Sequence, residues 1–409
     1  MTLASLYTVK PAPPAQAAAC VGVSSLQESF FGRLESSEGF NTKPNTDVFI
    51  VGGGPAGLAA AIQLRAKGFS VTVADGAKPP VDKACGEGLM PDTVAALRKM
   101  GVAIEPADGF PLHGVRFFSN GVAIEANFKG AQGIGLRRTV LHAKMTAQAD
   151  KVGTRLLWNS PVSGFSTNGV YVQSDFVEAD WIVGADGSGS RVRRWAGLEA
   201  GNSKTRRFAF RSHFRVEPWS NYVEVYWGLD SQAYITPVSD QEVCVAVLSE
   251  RSAMRTSVIA TKFPELAARL GNAELLGTER GAVTTTNRLR KIYRDNVVLV
   301  GDASGAVDAI TGEGLCLSFQ HSEVLADLLP SGNLYEYQRI HRRFQLRPSI
   351  MGNLLSLLGS RRFVRERTFR AFASEPPLFG RFLNFHLGQG TGIEAALAAT
   401  RLGFRFATC

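Results

Sequence analysis

An α/β fold with an inserted β-sheet domain and a helical C-terminal region is what this sequence predicts, and three observations predict it. A strand-length apolar run, Asp47 to Val51, empties into the glycine turn Gly52-Gly53-Gly54-Pro55-Ala56-Gly57 and then a helix. Residues 204–286 change to β-branched and aromatic segments of strand length. After residue 345 the pattern is helical, with arginine and phenylalanine interleaved.

The opening unit carries the most information. Leu58 to Ala66 reads as a helix closed by Gly68, and Val71 to Ala74 as a second strand ending at Asp75. In such an order the first glycine, Gly52, allows the turn, Gly54 lets backbone approach a pyrophosphate, and Gly57 lets helix and strand pack closely. Asp75, about 20 residues on, is placed to accept hydrogen bonds from an adenosine ribose. The glycine spacing alone is weak evidence. The strand before it, the helix after it and the acid at the expected distance make it a dinucleotide site.

Two later stretches repeat this grammar. Asp180 to Gly184 is a buried strand delivering Ala185-Asp186-Gly187, with Ser190 and Arg191 on the next turn. Asn296 to Val300 delivers Gly301-Asp302, followed by Thr311-Gly312-Glu313-Gly314 and a helix from Leu315 to Leu329. Three strands thus present an acid at one edge, where ligands bind in open α/β sheets. The last helix aims its N-terminus at whatever the glycines approach.

Between these units, Ala84-Cys85-Gly86-Glu87-Gly88 is a glycine-flanked loop, Thr93 to Met100 and Thr139 to Lys151 read as helices, and His113 to Phe128 reads as a hairpin turning at Asn120-Gly121. The insert is read as strands at Phe208–Phe214, Tyr222–Trp227, Ala233–Thr236 and Val243–Leu248, with one helix from Val258 to Leu270. Lys204, Arg206, Arg207, Arg211 and Arg215 are read as a solvated strand face, with docking of a phosphorylated reductant as the alternative.

Composition sets the outer bounds. The chain has 409 residues, 45% of them hydrophobic, enough for a full core, and a formal charge of +9 spread mostly over arginines. That balance suits anionic cofactors or an acidic membrane surface, and no motif supports nucleic acid. Five widely spaced cysteines without a CxxC pair point to a reducing, cytoplasmic setting and to no metal site. No run reaches the roughly 18 apolar residues that span a bilayer; Val48 to Leu64 comes nearest and is already explained as strand plus helix. Residues 1–45 read as a disordered extension, and the arginine and phenylalanine helices after 345 as a lid with arginines pointing outward or, alternatively, as a peripheral contact at the inner face of a membrane.

Taken together, the three motifs resemble those of the FAD-dependent oxidoreductases of the para-hydroxybenzoate hydroxylase fold, with a Rossmann-type (glutathione reductase 2-like) FAD-binding domain over 46–203 and 287–345, a β-sheet substrate domain over 204–286 and a helical region over 346–409. Cys85-Gly86-Glu87-Gly88-Leu89 and the Gly305 after Gly301-Asp302-Ala303-Ser304 resemble the geranylgeranyl reductase branch. The resemblance implies that Gly52, Gly54, Pro55, Ala56 and Gly57 hold the FAD pyrophosphate, with Asp186 and Gly187 closing its far side. It places Asp75 at the adenosine ribose, Arg138 near the ribityl chain, Gly301 and Asp302 at a ribityl hydroxyl, and Gly312, Glu313, Gly314 and Leu315 along the pyrimidine edge of the flavin. In the reductases of that branch a cysteine at the position of Cys85 borders the flavin, and Cys85 or Glu87 is the expected catalytic residue, steering substrate or relaying a proton.

The hydroxylases usually carry His and Pro in the third motif, where this chain has Gly305 and Asp308-Ala309, and the Trp-x-Trp-x-Ile-Pro segment of flavin halogenases is missing. A second glycine fingerprint is absent as well, so NAD(P)H or another external donor must visit the flavin or pass electrons through a carrier. The expected function is a reductase of carbon–carbon double bonds in an isoprenoid or similar hydrophobic small molecule. The alternatives are a monooxygenase of an aromatic or alkylphenol compound and a non-catalytic prenyl-binding carrier.

Overall fold

The computed structural model describes residues 45–199, 205–252 and 254–408. The extension expected at 1–45 lies, but for Asn45, outside the described residues, as do Cys20, Lys204 and Cys409.

An eight-stranded sheet forms the first layer. Its parallel strands run in the order Arg155–Leu157, Val71–Ala74, Thr46–Val51, Asp175–Gly184, Val297–Leu299, with Tyr293–Arg294 antiparallel at the edge. Val48 sits between Val71 and Trp181 in register, and Ile50 between Val73 and Val183. Strands buried on both faces need continuous apolar runs, and Val48, Phe49 and Ile50 are fully buried. Helices Pro55–Ala66 and Gly314–Leu328 pack against each other. The strand order reverses between Thr46–Val51 and Asp175–Gly184, the crevice where open α/β sheets bind their ligands.

The second layer is a seven-stranded sheet: Glu274–Thr286, Thr205–Arg215, Glu242–Ser249, Ser231–Ser239, Tyr222–Trp227, Gly114–Ser119, Val122–Asn127. It draws on two stretches of chain, because Tyr222 to Tyr226 pairs in parallel with Gly114 to Phe118 of the hairpin. The thirteen-residue edge strand Glu274–Thr286 was not anticipated; its mixed run of Thr, Arg and Gly carries no alternation of burial. The single helix expected at 258–270 is broken at Phe263 into Ile259–Lys262 and Pro264–Leu270, since the residue before a proline disfavours helical backbone.

The expectation of a solvated arginine face fails at two positions. Arg207 and Arg211 are 5% and 3% exposed. They occupy alternate, inward positions of Thr205–Arg215, where Arg207 donates to both oxygens of Asp308 at 2.7 and 3.0 Å and Arg211 pairs with Asp82. Buried guanidiniums persist only with such partners.

Four helices, Leu334–Ser360, Arg362–Ser374, Pro377–His386 and Gly392–Thr408, close the chain. Phe369, Phe372 and Phe379 are buried against the second sheet, with the Phe117 ring centroid 5.1 Å from that of Phe379 and 6.5 Å from that of Phe369. Arg365 does not point outward as expected: it is 2% exposed and donates to Ser119 Oγ and to the carbonyls of Leu358 and Gly359. Among the described residues no helix is long and apolar enough to cross a membrane.

Candidate active site: three strand ends around one cavity

The phosphate loop behaves as its glycines require. Gly52 has φ +112, and a Cβ there would lie 2.5 Å from the carbonyl oxygen of Ala185, just past the end of the neighbouring strand. A Cβ on Gly57 would meet the Gly52 carbonyl oxygen at 1.9 Å, so helix Pro55–Ala66 can start this close to its strand only without a side chain. Gly54 is different, because its missing Cβ points into open space. That is the place through which backbone N–H groups at a helix N-terminus reach an anion.

Asp75 closes the loop from behind: one carboxylate oxygen accepts from Gly53 N at 2.7 Å and the other from Ala77 N at 2.8 Å. His142 Nε2 donates to the Gly53 carbonyl at 2.8 Å, and burial pushes its pKa down, keeping it neutral. This histidine, inside helix Arg138–Lys151, carries no local sequence signal.

The second and third motifs are tied to each other. Asp186 Oδ2 accepts from Arg191 N at 2.7 Å and Val192 N at 3.2 Å, so its side chain caps the following turn, while Gly187 and Ser188 face the cavity. Arg193, also unforeseen, donates to the carbonyls of Ala303 and Ser188 and thereby fixes the spacing of the two loops. Asp302 opens onto the cleft but is walled in by protein, and this partial desolvation pushes its carboxyl pKa up while Lys83, Arg138 and Arg193 oppose the rise.

All three strand ends border one cavity of about 480 Å³. Gly54, Pro55, Ala56, Arg138, Gly187, Gly301, Asp302, Gly312, Gly314 and Leu315 line it, together with Cys85 and Glu87. Gly312, at φ +71, and Gly314 have nothing within 4 Å of a would-be Cβ. Arg138 Nε is buried with no partner among the described residues. A cradle of side-chain-free backbone with an orphaned cationic donor over it suits a long, phosphate-bearing, planar cofactor, so the residues present fit FAD.

Cys85 and Glu87 lie in the loop that covers this cradle. Glu87 has φ +59, a left-handed backbone that a residue with a Cβ adopts at a cost of about 1–3 kcal/mol. Its carboxylate offsets that cost by accepting from Arg138 N at 2.9 Å and from His213 Nε2 at 2.6 Å. Arg211 donates to His213 Nδ1 at 2.9 Å, which leaves the proton of the imidazole on Nε2. Among the described residues Glu87, His213 and Cys244 bring a carboxylate, a ring nitrogen and a thiol within 4.8 Å of one another. Glu87 and His213 are hydrogen-bonded to each other, and further to Arg138 N and to Arg211 respectively. Cys85 Sγ accepts from Glu87 N at 3.4 Å, and Cys244 Sγ lies 3.7 Å from the Cys85 carbonyl oxygen.

Glu313 does not face the cavity its neighbours line. Its carboxyl turns toward the C-terminal helices, with Oε1 3.3 Å from His386 Nδ1 and 3.7 Å from a guanidinium nitrogen of Arg347. Burial pushes its pKa up from 4.5 to about 8, with Arg347 opposing the rise and Asp92 adding to it.

From the flavin cradle the cavity continues into an apolar arm between the second sheet and the C-terminal helices. Phe117, Val225 and Leu248 line one wall, and Leu355, Phe369, Phe372, Phe379 and Leu383 the other.

Comparison with known proteins agrees with this geometry. The family described as "FAD binding domain" matches residues 45–331. The menaquinone reductase of Mycolicibacterium smegmatis is 27% identical over 318 residues, covering 71% of this chain and 78% of its own. Digeranylgeranylglycerophospholipid reductase 1 of Methanothermobacter thermautotrophicus is 27% identical over 333 residues, covering 72% and 82%. A geranylgeranyl bacteriochlorophyll reductase-like protein of Thermoplasma acidophilum, 20% identical, superposes with a TM-score of 0.67 over 75% of this chain and 87% of that one, which is a likeness of fold. With the family matched across all three strand ends and their cradle shaped for the cofactor, the chain belongs to the FAD binding domain family and is an FAD-dependent oxidoreductase.

Proposed function

We propose that the enzyme reduces a carbon–carbon double bond in a hydrophobic small molecule of isoprenoid or lipid character, with electrons delivered by NAD(P)H or another external donor. One observation carries the reading: the cradle that fits FAD and the phenylalanine-lined arm are the same cavity. A chain long enough to need that arm would present one end to the flavin ring. Relatives named for the reduction of menaquinone and of digeranylgeranylglycerophospholipid support the substrate class.

FAD, when bound, supplies hydride from its reduced ring. The residues around it do the rest. Gly52, Gly54 and Gly57 admit the pyrophosphate, and the N-terminus of helix Gly314–Leu328 favours negative charge on the pyrimidine side. Lys83 and Arg138 add positive potential, and the phenylalanines exclude water so that hydride meets carbon rather than solvent. Cys85, half-buried at the cavity wall, borders the space where the reacting bond must sit, and Glu87 holds the Cys85 loop on the sheet through His213.

The test is anaerobic. Reduced enzyme mixed with a geranylgeranyl compound is expected to regain the absorbance of oxidised flavin, with the saturated product recovered. Reoxidation that requires oxygen and a phenolic lipid, with substrate-stimulated NAD(P)H consumption, would move the assignment to a monooxygenase. We further propose peripheral membrane contact through the last helix, on which Ile393, Leu397 and Phe404 are 75%, 63% and 65% exposed beside Arg401. Co-sedimentation with anionic vesicles, lost on Leu397→Asp, is the expected result.

A further inference from the structure

Glu313 is 5% exposed, and neither of its carboxyl oxygens has a hydrogen-bond partner among the described residues. Buried carboxyls are seldom left so. The groups facing it come from several elements: Arg347 from helix Leu334–Ser360, His386 from the end of Pro377–His386, and Asp92 from Pro91–Lys99, which in turn accepts from the Cys316 thiol at 3.1 Å. His386 Nε2 donates to the Thr311 carbonyl at 3.0 Å, so Nδ1 is its bare nitrogen, and Nδ1 is the atom turned toward Glu313. His386 also lines the apolar arm of the cavity.

We propose that Glu313 and His386 form a proton relay into the substrate arm, with Arg347 as the countercharge, and that this relay supplies the proton that double-bond reduction requires. The proposal rests on the reductase reading above. Once one alkene carbon has received hydride, its neighbour must receive a proton. His386 gives that proton from Nε2, releasing the Thr311 carbonyl, and takes one at Nδ1 from the Glu313 carboxyl. The carboxylate left behind is stabilised by Arg347, 3.7 Å away. After product leaves, His386 returns its Nδ1 proton to Glu313 and takes one from solvent at Nε2, and the external two-electron donor restores the reduced flavin, so electrons and protons balance.

The chemistry of the three groups agrees with this arrangement. Desolvation holds Glu313 protonated up to about pH 8, and it lowers the His386 pKa to about 4, so at neutral pH one proton sits on the acid and the imidazole is uncharged. A neutral imidazole between an acid and a reacting atom passes a proton without storing charge in the apolar arm.

Two measurements test the relay. In the cofactor-free protein, infrared titration is expected to show the C=O stretch of a protonated carboxyl at pH 7. That band should vanish as pH rises through about 8, move to higher pH in Arg347→Gln and be missing from Glu313→Gln. In the loaded enzyme, anaerobic reoxidation of reduced flavin by a geranylgeranyl compound is expected to slow at least tenfold in Glu313→Gln and His386→Phe and to lose its decline above pH 8. Reoxidation by ferricyanide, which needs no proton delivered to substrate, should stay within twofold. A band unchanged by Glu313→Gln, or variants that reduce substrate at the wild-type rate and pH profile, would overturn the relay while leaving the reductase reading intact. Failure of the wild-type enzyme itself to be reoxidised by such compounds would remove the reading and the relay's catalytic role together.

Discussion

A single methyl group is enough to test the phosphate loop. Because a Cβ on Gly57 would sit 1.9 Å from the Gly52 carbonyl oxygen, backbone against backbone, Gly57→Ala must force the helix start away from its strand. The expected outcome is protein purified with little or no flavin, read from the ratio of visible to ultraviolet absorbance. Glu313 makes a second prediction at this scale. Its native pKa of about 8 lies above its ordinary 4.5, so between those values the folded state holds a proton that the unfolded chain has released, and stability falls as pH rises. His386 works the other way: with a native pKa of about 4 against 6.5, its contribution rises with pH across that window. The two largely cancel up to pH 6.5, and above it the Glu313 effect stands alone. Denaturant unfolding should therefore show a loss of about 1–2 kcal/mol between pH 6.5 and 8, flattened in Glu313→Gln.

At the scale of elements, the joint between the second sheet and the C-terminal helices is aromatic and walls the apolar arm. Phe369, 1% exposed, contacts both Phe117 and Trp227, so Phe369→Ala should destabilise the protein by about 3–5 kcal/mol in urea unfolding and enlarge the substrate arm. How far the elements could be read from the chain follows from where their information lies. The phosphate loop is legible because glycine spacing, preceding strand and following helix are all local, and the same holds for the strand ends at Gly184 and Val300. The burial of Arg207 and Arg211 is not legible locally, because they stand at inward positions where alternation calls for apolar residues, and only Asp308 and Asp82, far along the chain, explain them. Sequence alone groups Glu313 with its glycine neighbours, which do line the cavity. The turn of its side chain toward His386 and Arg347 is decided by packing between segments with no spacing in common. His142 and Arg193 were invisible for the same reason, since their partners are backbone carbonyls brought near by the fold.

For the molecule as a whole, the cofactor cradle is made from three distant stretches, so ligand and fold should be linked. FAD at 100 times its dissociation constant is expected to add about 2.7 kcal/mol, seen as a higher thermal midpoint for loaded than for stripped protein, and a midpoint that does not move would contradict the convergence of the three strand ends. The second sheet links the chain differently. Its hairpin, Gly114–Asn127, leaves the ribosome with one edge open, and the strand that seals that edge, Tyr222–Trp227, is synthesised roughly a hundred residues later. For several seconds of synthesis Phe117 and Phe118 belong to an unsealed ribbon. A nascent chain stalled before residue 222 is therefore the species that chaperones must shield, and any attempt to graft this sheet onto another scaffold has to move both pieces at once.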